Sequence, residues 1–142
     1  MKIKVLFICV HNSARSQMAQ AYLKLLGGDN FEVESAGYEP TAVNPYVIKA
    51  MLEDGVDLSD KKTQSVYDLI RENRFFGIII TVCNRAREEE CPVFPGVTKK
   101  LHWELENPED FTGTDEEIME KVRLLRDKIK KMVQSFIAEY NQ

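Results

Sequence analysis

Three cysteines among 142 residues are too few, and of the wrong parity, to build a closed disulfide framework. No apolar run approaches the roughly 20 residues that a bilayer-spanning helix needs. A formal net charge of −4 gives no broad attraction for nucleic acid or for membrane surfaces, so any preference for an anion must be local. Internal repeats, low-complexity tracts and linkers are all missing. Met1 to Ile8 sets positive charge before apolar residues, as a signal peptide does, but the apolar stretch is too short and Cys9 to Ser16 interrupts it. The expectation is a cytoplasmic protein with reduced thiols. What remains is ordinary globular composition, 44% hydrophobic and 30% charged, which fits one domain over residues 1–142.

The informative feature is the run Cys9-Val10-His11-Asn12-Ser13-Ala14-Arg15-Ser16, placed between an apolar strand-like stretch and a helix-like pattern. A loop at a strand-to-helix switch turns backbone N–H groups inward, and the N-terminus of the following helix adds partial positive charge. Residues Val10 to Ser16 are therefore read as an oxyanion-binding loop around Cys9. The same field favours a thiolate nucleophile over a thiol. Arg15 brings a planar fork of donors suited to two oxygens of a tetrahedral anion, and Ser16 lies where its hydroxyl can meet the sulfur. His11 is either an oxyanion donor or a plain turn residue. The bland alternative is a core cysteine followed by a surface arginine. The strand before, the helix after and the polar residues between argue against it.

Periodicity supplies the frame. Lys2 to Ile8 reads as a buried strand, Gln17 to Leu26 as a helix stopped by Gly27-Gly28, and Phe31 to Glu34 as a strand leading into Ser35-Ala36-Gly37. Asn44-Pro45 opens a helix that Gly55 closes, and another is expected over Ser65 to Asn73. Phe76 to Val82 and Thr98 to Trp103 read as strands, and from Thr114 a long amphipathic helix begins whose apolar stripe suits the face of a sheet better than a coiled coil. Alternating elements predict an α/β single domain with a four-stranded parallel sheet flanked by helices. Its apolar faces look fully used, so a monomer is expected. Ligands of such sheets gather at the carboxyl ends of the strands, where Cys9 and Cys83 both fall.

Cys83 and Cys91 bracket the polar segment Asn84 to Glu90. In a continuous helix their Cα atoms would lie roughly 12 Å apart, whereas a disulfide needs about 7 Å or less. A disulfide there requires the segment to bend or unwind, and its polar composition makes that inexpensive. Zinc is the competing reading, with His11 or His102 as fourth ligand, but the Cys83–Cys91 gap exceeds the usual ligand spacing. Three unrelated buried thiols is the other. His102-Trp103 is read as a packed strand end, and Glu88 to Glu90 as a solvated face.

With these residues in hand, the sequence resembles the thioredoxin-coupled arsenate reductases, which share the low-molecular-weight protein tyrosine phosphatase fold. The likeness runs through Cys9 to Ser16 and Gln17-Met18-Ala19, the Ser35-Ala36-Gly37 turn, Cys83 after a strand, Cys91-Pro92, and His102-Trp103 before Pro108. It implies reduction of arsenate to arsenite by a three-cysteine relay. Cys9 attacks arsenate held by Asn12, Arg15 and Ser16; Cys83 attacks the arsenic-bearing sulfur; Cys91 takes over the disulfide. No bound cofactor is implied. Electrons come from thioredoxin, or from glutaredoxin with glutathione. The residue before Pro108 is Asn107 where the family carries an aspartic general acid, so either Glu106 or Asp110 substitutes or the reaction dispenses with the acid. Gln20 and Ser65 replace the carboxylates that bind potassium in some members, so neither potassium nor another metal is expected. Seven residues separate Cys83 from Cys91, one more than is common there. The alternative enzyme is a low-molecular-weight phosphatase acting on phosphotyrosine or a small phosphoester through Cys9 and Arg15. A non-catalytic oxyanion or redox sensor is the third reading.

Overall fold

Val5-Leu6-Phe7-Ile8 is an unbroken apolar run, and all four side chains are fully buried in the computed structural model, which describes residues 2–82, 96–97 and 99–140. Such a run suits a strand covered on both faces. The strand β1 (Ile3–Cys9) lies between β2 (Phe31–Gly37) and β3 (Ile78–Val82), with β4 (Lys99–Trp103) beyond β3. Every pairing is parallel, and the sheet order is β2-β1-β3-β4. The alternation of β1 side chains divides the interior in two. Val5, Phe7 and Cys9 join a core with the helices α1 (Arg15–Gly27), α2 (Pro45–Glu53) and α4 (Asp115–Tyr140). Leu6 and Ile8 join a smaller one with Val66 and Leu69 of α3 (Val66–Arg71).

The helix boundaries have local causes. Asn44 Oδ1 accepts the N–H groups of Tyr46 and Val47 at 2.8 and 3.4 Å, with Pro45 at the first helical position of α2. Ser65 Oγ accepts from Tyr67 N at 3.1 Å to start α3. Thr114 and Glu117 cap each other at 3.2 Å in both directions ahead of α4. The α4 stripe Met119, Val122, Leu125, Ile129, Val133 and Phe136 is buried, so the long helix covers the sheet rather than seeking a coiled-coil partner. Among the described residues no helix is long and apolar enough to cross a membrane. Two strands run further than their hydrophobic patterns suggest. β1 includes Cys9 itself, and β2 continues through Ser35-Ala36-Gly37, each paired with Phe7-Ile8-Cys9 of β1. Trp103 is a packed strand end, tilted against Phe7 with ring centroids 5.5 Å apart.

A polar tie joins three helices. Tyr22 of α1 donates to Asp54 Oδ2 at 2.7 Å, and Lys130 of α4 reaches the same oxygen at 3.2 Å. The Tyr22 hydrogen bond, then that of Lys130, hold the Asp54 carboxyl below its ordinary value. An acid depressed by folding contributes stability above its unfolded pKa and loses it as pH falls through the lower folded value. Acid unfolding should therefore be shallower in Asp54→Asn than in the wild type below about pH 4. Equal slopes in circular-dichroism acid titrations of the two proteins would contradict this.

Candidate active site

Cys9 ends β1 and Arg15 begins α1, so residues 10–14 must turn the chain between them. The stretch after β2 holds that turn from outside. Tyr38, Glu39, Thr41 and Asn44 donate backbone N–H groups to the carbonyls of Cys9, Val10, His11 and Ser13, at 3.3, 2.8, 3.0 and 2.9 Å. Those four bonds fix the carbonyl side of the turn. Asn12 takes the left-handed conformation (φ 54°), which asparagine tolerates, and its N–H aims at Cys9 Sγ at 3.1 Å. Gly37 lets the two segments touch. A Cβ there would lie 2.7 Å from both Asn12 N and Val10 O.

The polar groups around the sulfur form one chain. Asn12 Oδ1 accepts from Gln17 Nε2 at 3.1 Å and from Gln64 N at 3.0 Å, which fixes which end of the amide is the donor. Asn12 Nδ2 then donates to Ser16 Oγ at 2.8 Å. Ser16 Oγ lies 2.8 Å from Cys9 Sγ, where its hydroxyl is the donor once the sulfur is a thiolate. Two donors thus converge on one buried sulfur, the hydrogen bonding that stabilises a thiolate. Gln17 and Gln64 could not be assigned to this chain from spacing. One contact spans 52 positions, and it runs through a backbone N–H that carries no residue signature.

Arg15 is 4% exposed, and its Nη1 donates to Leu105 O at 3.1 Å. That bond holds the guanidinium beside a narrow cleft lined by Cys9, His11, Ser13, Ala14, Arg15, Asn107 and Glu109. The arrangement presents a nucleophilic sulfur below, a planar cation at the side and hydroxyl and amide donors around, which suits a tetrahedral oxyanion. Arg15→Lys keeps the charge but loses the fork. Affinity for inorganic phosphate should fall about tenfold or more. An unchanged calorimetric isotherm would show that Arg15 does not hold the anion.

Most of the residues expected to bind the oxyanion are brought together. His11, Ser13, Ala14 and Arg15 line the cleft, Asn12 and Ser16 stand behind the sulfur, and the Val10 carbonyl is tied to Glu39. Glu106, Glu109 and Asp110 are all exposed, and among the described residues Glu109 is the acidic one that lines this cleft. Cys83 and Cys91, with the segment between them, lie outside the described residues. β3 is the neighbour of β1, and Val82 is its last residue.

The positions that would take potassium are occupied by neutral hydrogen bonding. Ser35 Oγ donates to Gln20 Oε1 at 2.6 Å, and Asn12 Oδ1 already accepts two N–H groups. Gln20, Ser35 and Asn12 bring no carboxylate of their own and spend these oxygens on each other and on N–H groups, whereas the carboxylates lining the same pocket, Glu34 and Asp60, come from neighbouring positions. Phosphate affinity should be the same in potassium and in sodium buffer. A several-fold difference would contradict this reading of Gln20.

Comparison with known proteins supports the same frame. The model of the low molecular weight phosphotyrosine protein phosphatase family matches residues 4–142. An arsenate reductase of Halalkalibacterium halodurans is 36% identical over 132 residues, 93% of each chain. Arsenate reductase 1 of Staphylococcus epidermidis is 39% identical over 137 residues, 95% of this chain and 96% of the relative. Among solved structures, an arsenate reductase in the phosphate-binding state superposes with a TM-score of 0.78 at 31% identity, covering 98% of both chains. A thioredoxin-dependent arsenate reductase of Corynebacterium glutamicum gives 0.61 at 34% identity over 94% of this chain and 62% of that one. With the loop, the sheet order and a match of nearly full length agreeing, this chain belongs to the low molecular weight phosphotyrosine protein phosphatase family.

Proposed function

We propose that this protein reduces arsenate to arsenite, with Cys9 as nucleophile. The observation that carries the reading is the buried Cys9 sulfur, held by Ser16 and Asn12 at the foot of a cleft walled by Arg15. The relatives named arsenate reductase support it. The Cys9 thiolate attacks arsenic(V) and an oxygen leaves, forming a thiol–arsenic adduct. Cys83 attacks the Cys9 sulfur, and the sulfur–arsenic electron pair stays on arsenic, which departs as arsenite. Cys91 then attacks Cys83, frees Cys9 and leaves a Cys83–Cys91 disulfide. An external dithiol returns the two electrons. Thioredoxin is the donor we favour, given the thioredoxin-dependent neighbour, and glutaredoxin with glutathione is the other candidate. We assign the enzyme to the cytoplasm, as a monomer with no bound cofactor.

The test is arsenite production with thioredoxin, thioredoxin reductase and NADPH, comparing wild type with Cys83→Ser and Cys91→Ser. Multiple turnovers should stop in both variants. Sustained turnover in both would sink the relay. Loss in Cys91→Ser alone would overturn the order of steps. Disulfide mapping after one turnover without reductant should find Cys83 joined to Cys91.

The family match favours one alternative, a phosphatase using the same cysteine and arginine. Aryl phosphate hydrolysis separates the two. Rapid steady-state hydrolysis unaffected by Cys83→Ser, with no arsenite formed, would establish the phosphatase.

A further inference from the structure

When Cys9 attacks a tetrahedral oxyanion, the oxygen opposite the sulfur leaves, and it leaves far more easily as water or an alcohol than as an anion. The proton must come from the walls of the cleft. Arg15 does not release one near neutrality, a serine hydroxyl such as Ser13 is too weak an acid, the Asn107 amide has none to give, and Cys9 is the nucleophile. Among the described residues of the wall His11 and Glu109 remain, and they stand side by side. His11 Nδ1 lies 3.5 Å from Glu109 Oε1. Ser13 Oγ donates to that same oxygen at 3.2 Å, which ties the carboxyl to the loop and occupies neither lone pair of Oε2. Asn107 has a different task. Its Oδ1 accepts Glu109 N at 3.0 Å and caps the short turn Pro108–Asp110 that carries the glutamate.

We propose that Glu109 is the proton donor to the leaving oxygen, paired with His11 and presented by Asn107. This rests on the reading of Cys9 as the attacking thiolate. As the arsenic–oxygen or phosphorus–oxygen bond breaks, the Glu109 carboxyl proton passes to the departing oxygen. Water leaves from arsenate, or the parent alcohol from an ester. The carboxylate regains a proton from solvent through His11. Asn107 is a positioning residue, because it acts only through the turn.

The experiment compares Glu109→Gln with wild type on three substrates. Phenyl phosphate has a poor leaving group and needs the acid; 2,4-dinitrophenyl phosphate has a good one and does not. Release of the phenol in the first turnover reports attack by Cys9. Glu109→Gln should slow release from phenyl phosphate by about 10²-fold or more and from the dinitrophenyl ester by less than about threefold. Arsenate reduction in the coupled assay should fall along with the phenyl ester. Adding Asn107→Asp to Glu109→Gln, which returns a carboxyl to the same cleft, should recover a large part of the loss. Equal losses on the two esters would assign Glu109 a structural role and overturn the proposal, as would an unchanged rate of arsenate reduction. A wild type that releases phenol but makes no arsenite would refute the reductase reading and leave the Glu109 comparison intact. A wild type inert toward all three substrates would overturn both.

Discussion

Cys9→Ser is expected to lower arsenate turnover by at least about 10⁴-fold while phosphate still binds. The substitution exchanges one atom. The serine oxygen keeps the neighbours of the sulfur, since Asn12 N and Ser16 Oγ can hydrogen-bond either. It does not ionise near neutrality, and it cannot end the reaction in a disulfide, so both the attack and the electron transfer are lost. The anion is held by other groups, with Arg15 anchored on Leu105 O and the loop fixed from outside by Tyr38, Glu39, Thr41 and Asn44. Calorimetry with phosphate should therefore give similar affinities for variant and wild type. Residual multiple turnover well above that bound would mean that another thiol starts the reaction. Loss of phosphate binding together with turnover would mean that the sulfur shapes the loop as well as reacting in it.

Gly37→Ala should be strongly destabilising, although it adds only one methyl group. The new carbon would lie 2.7 Å from Asn12 N and from Val10 O, and both are backbone atoms that cannot swing aside. Gly37 is also fastened on its other side, donating its N–H to Gln64 O at 2.9 Å, so the strand end cannot retreat freely. Relief has to come from moving the Cys9 loop. We expect a loss of about 3 kcal/mol of stability or more, a melting temperature lower by roughly 10 °C, and a loop too displaced for efficient attack. Gly77→Ala is the control, because its nearest contact would be 3.8 Å away, at Lys4 O. Similar thermal melts for the two alanine variants would refute the close approach described here.

How much of this was readable from the residues depends on whether the signal was local. The anion loop and its flanking elements were legible, because an apolar strand, a polar turn and an amphipathic helix each announce themselves within a few residues. So was the start of α2, where Asn44-Pro45 combines a cap with a preset backbone angle. Less of the cleft wall was legible. Glu106, Glu109 and Asp110 are chemically equivalent neighbours of Pro108, and which of them faces Cys9 depends on a short helical turn whose orientation comes from tertiary packing. The partners of Asn12 were hidden for a related reason: one is a main-chain N–H from a distant segment. Gly37 looked like one turn glycine among several until the opposing backbone was placed against it.

The edge strands of the sheet bear on how the protein behaves when crowded. An exposed strand edge offers a row of amides to any other extended chain, and charge along that row is the usual deterrent. β4, at one edge, begins with exposed Lys99 and Lys100; β2, at the other, carries exposed Glu32 and partly exposed Glu34. Glu32 and Glu34 are paired with Lys4 and Arg74 of the same chain, so the β2 edge presents mixed charge, whereas β4 opens on two lysines. A chain added beside β4 has to bring carboxylates to meet Lys99 and Lys100, and added salt should weaken that pairing.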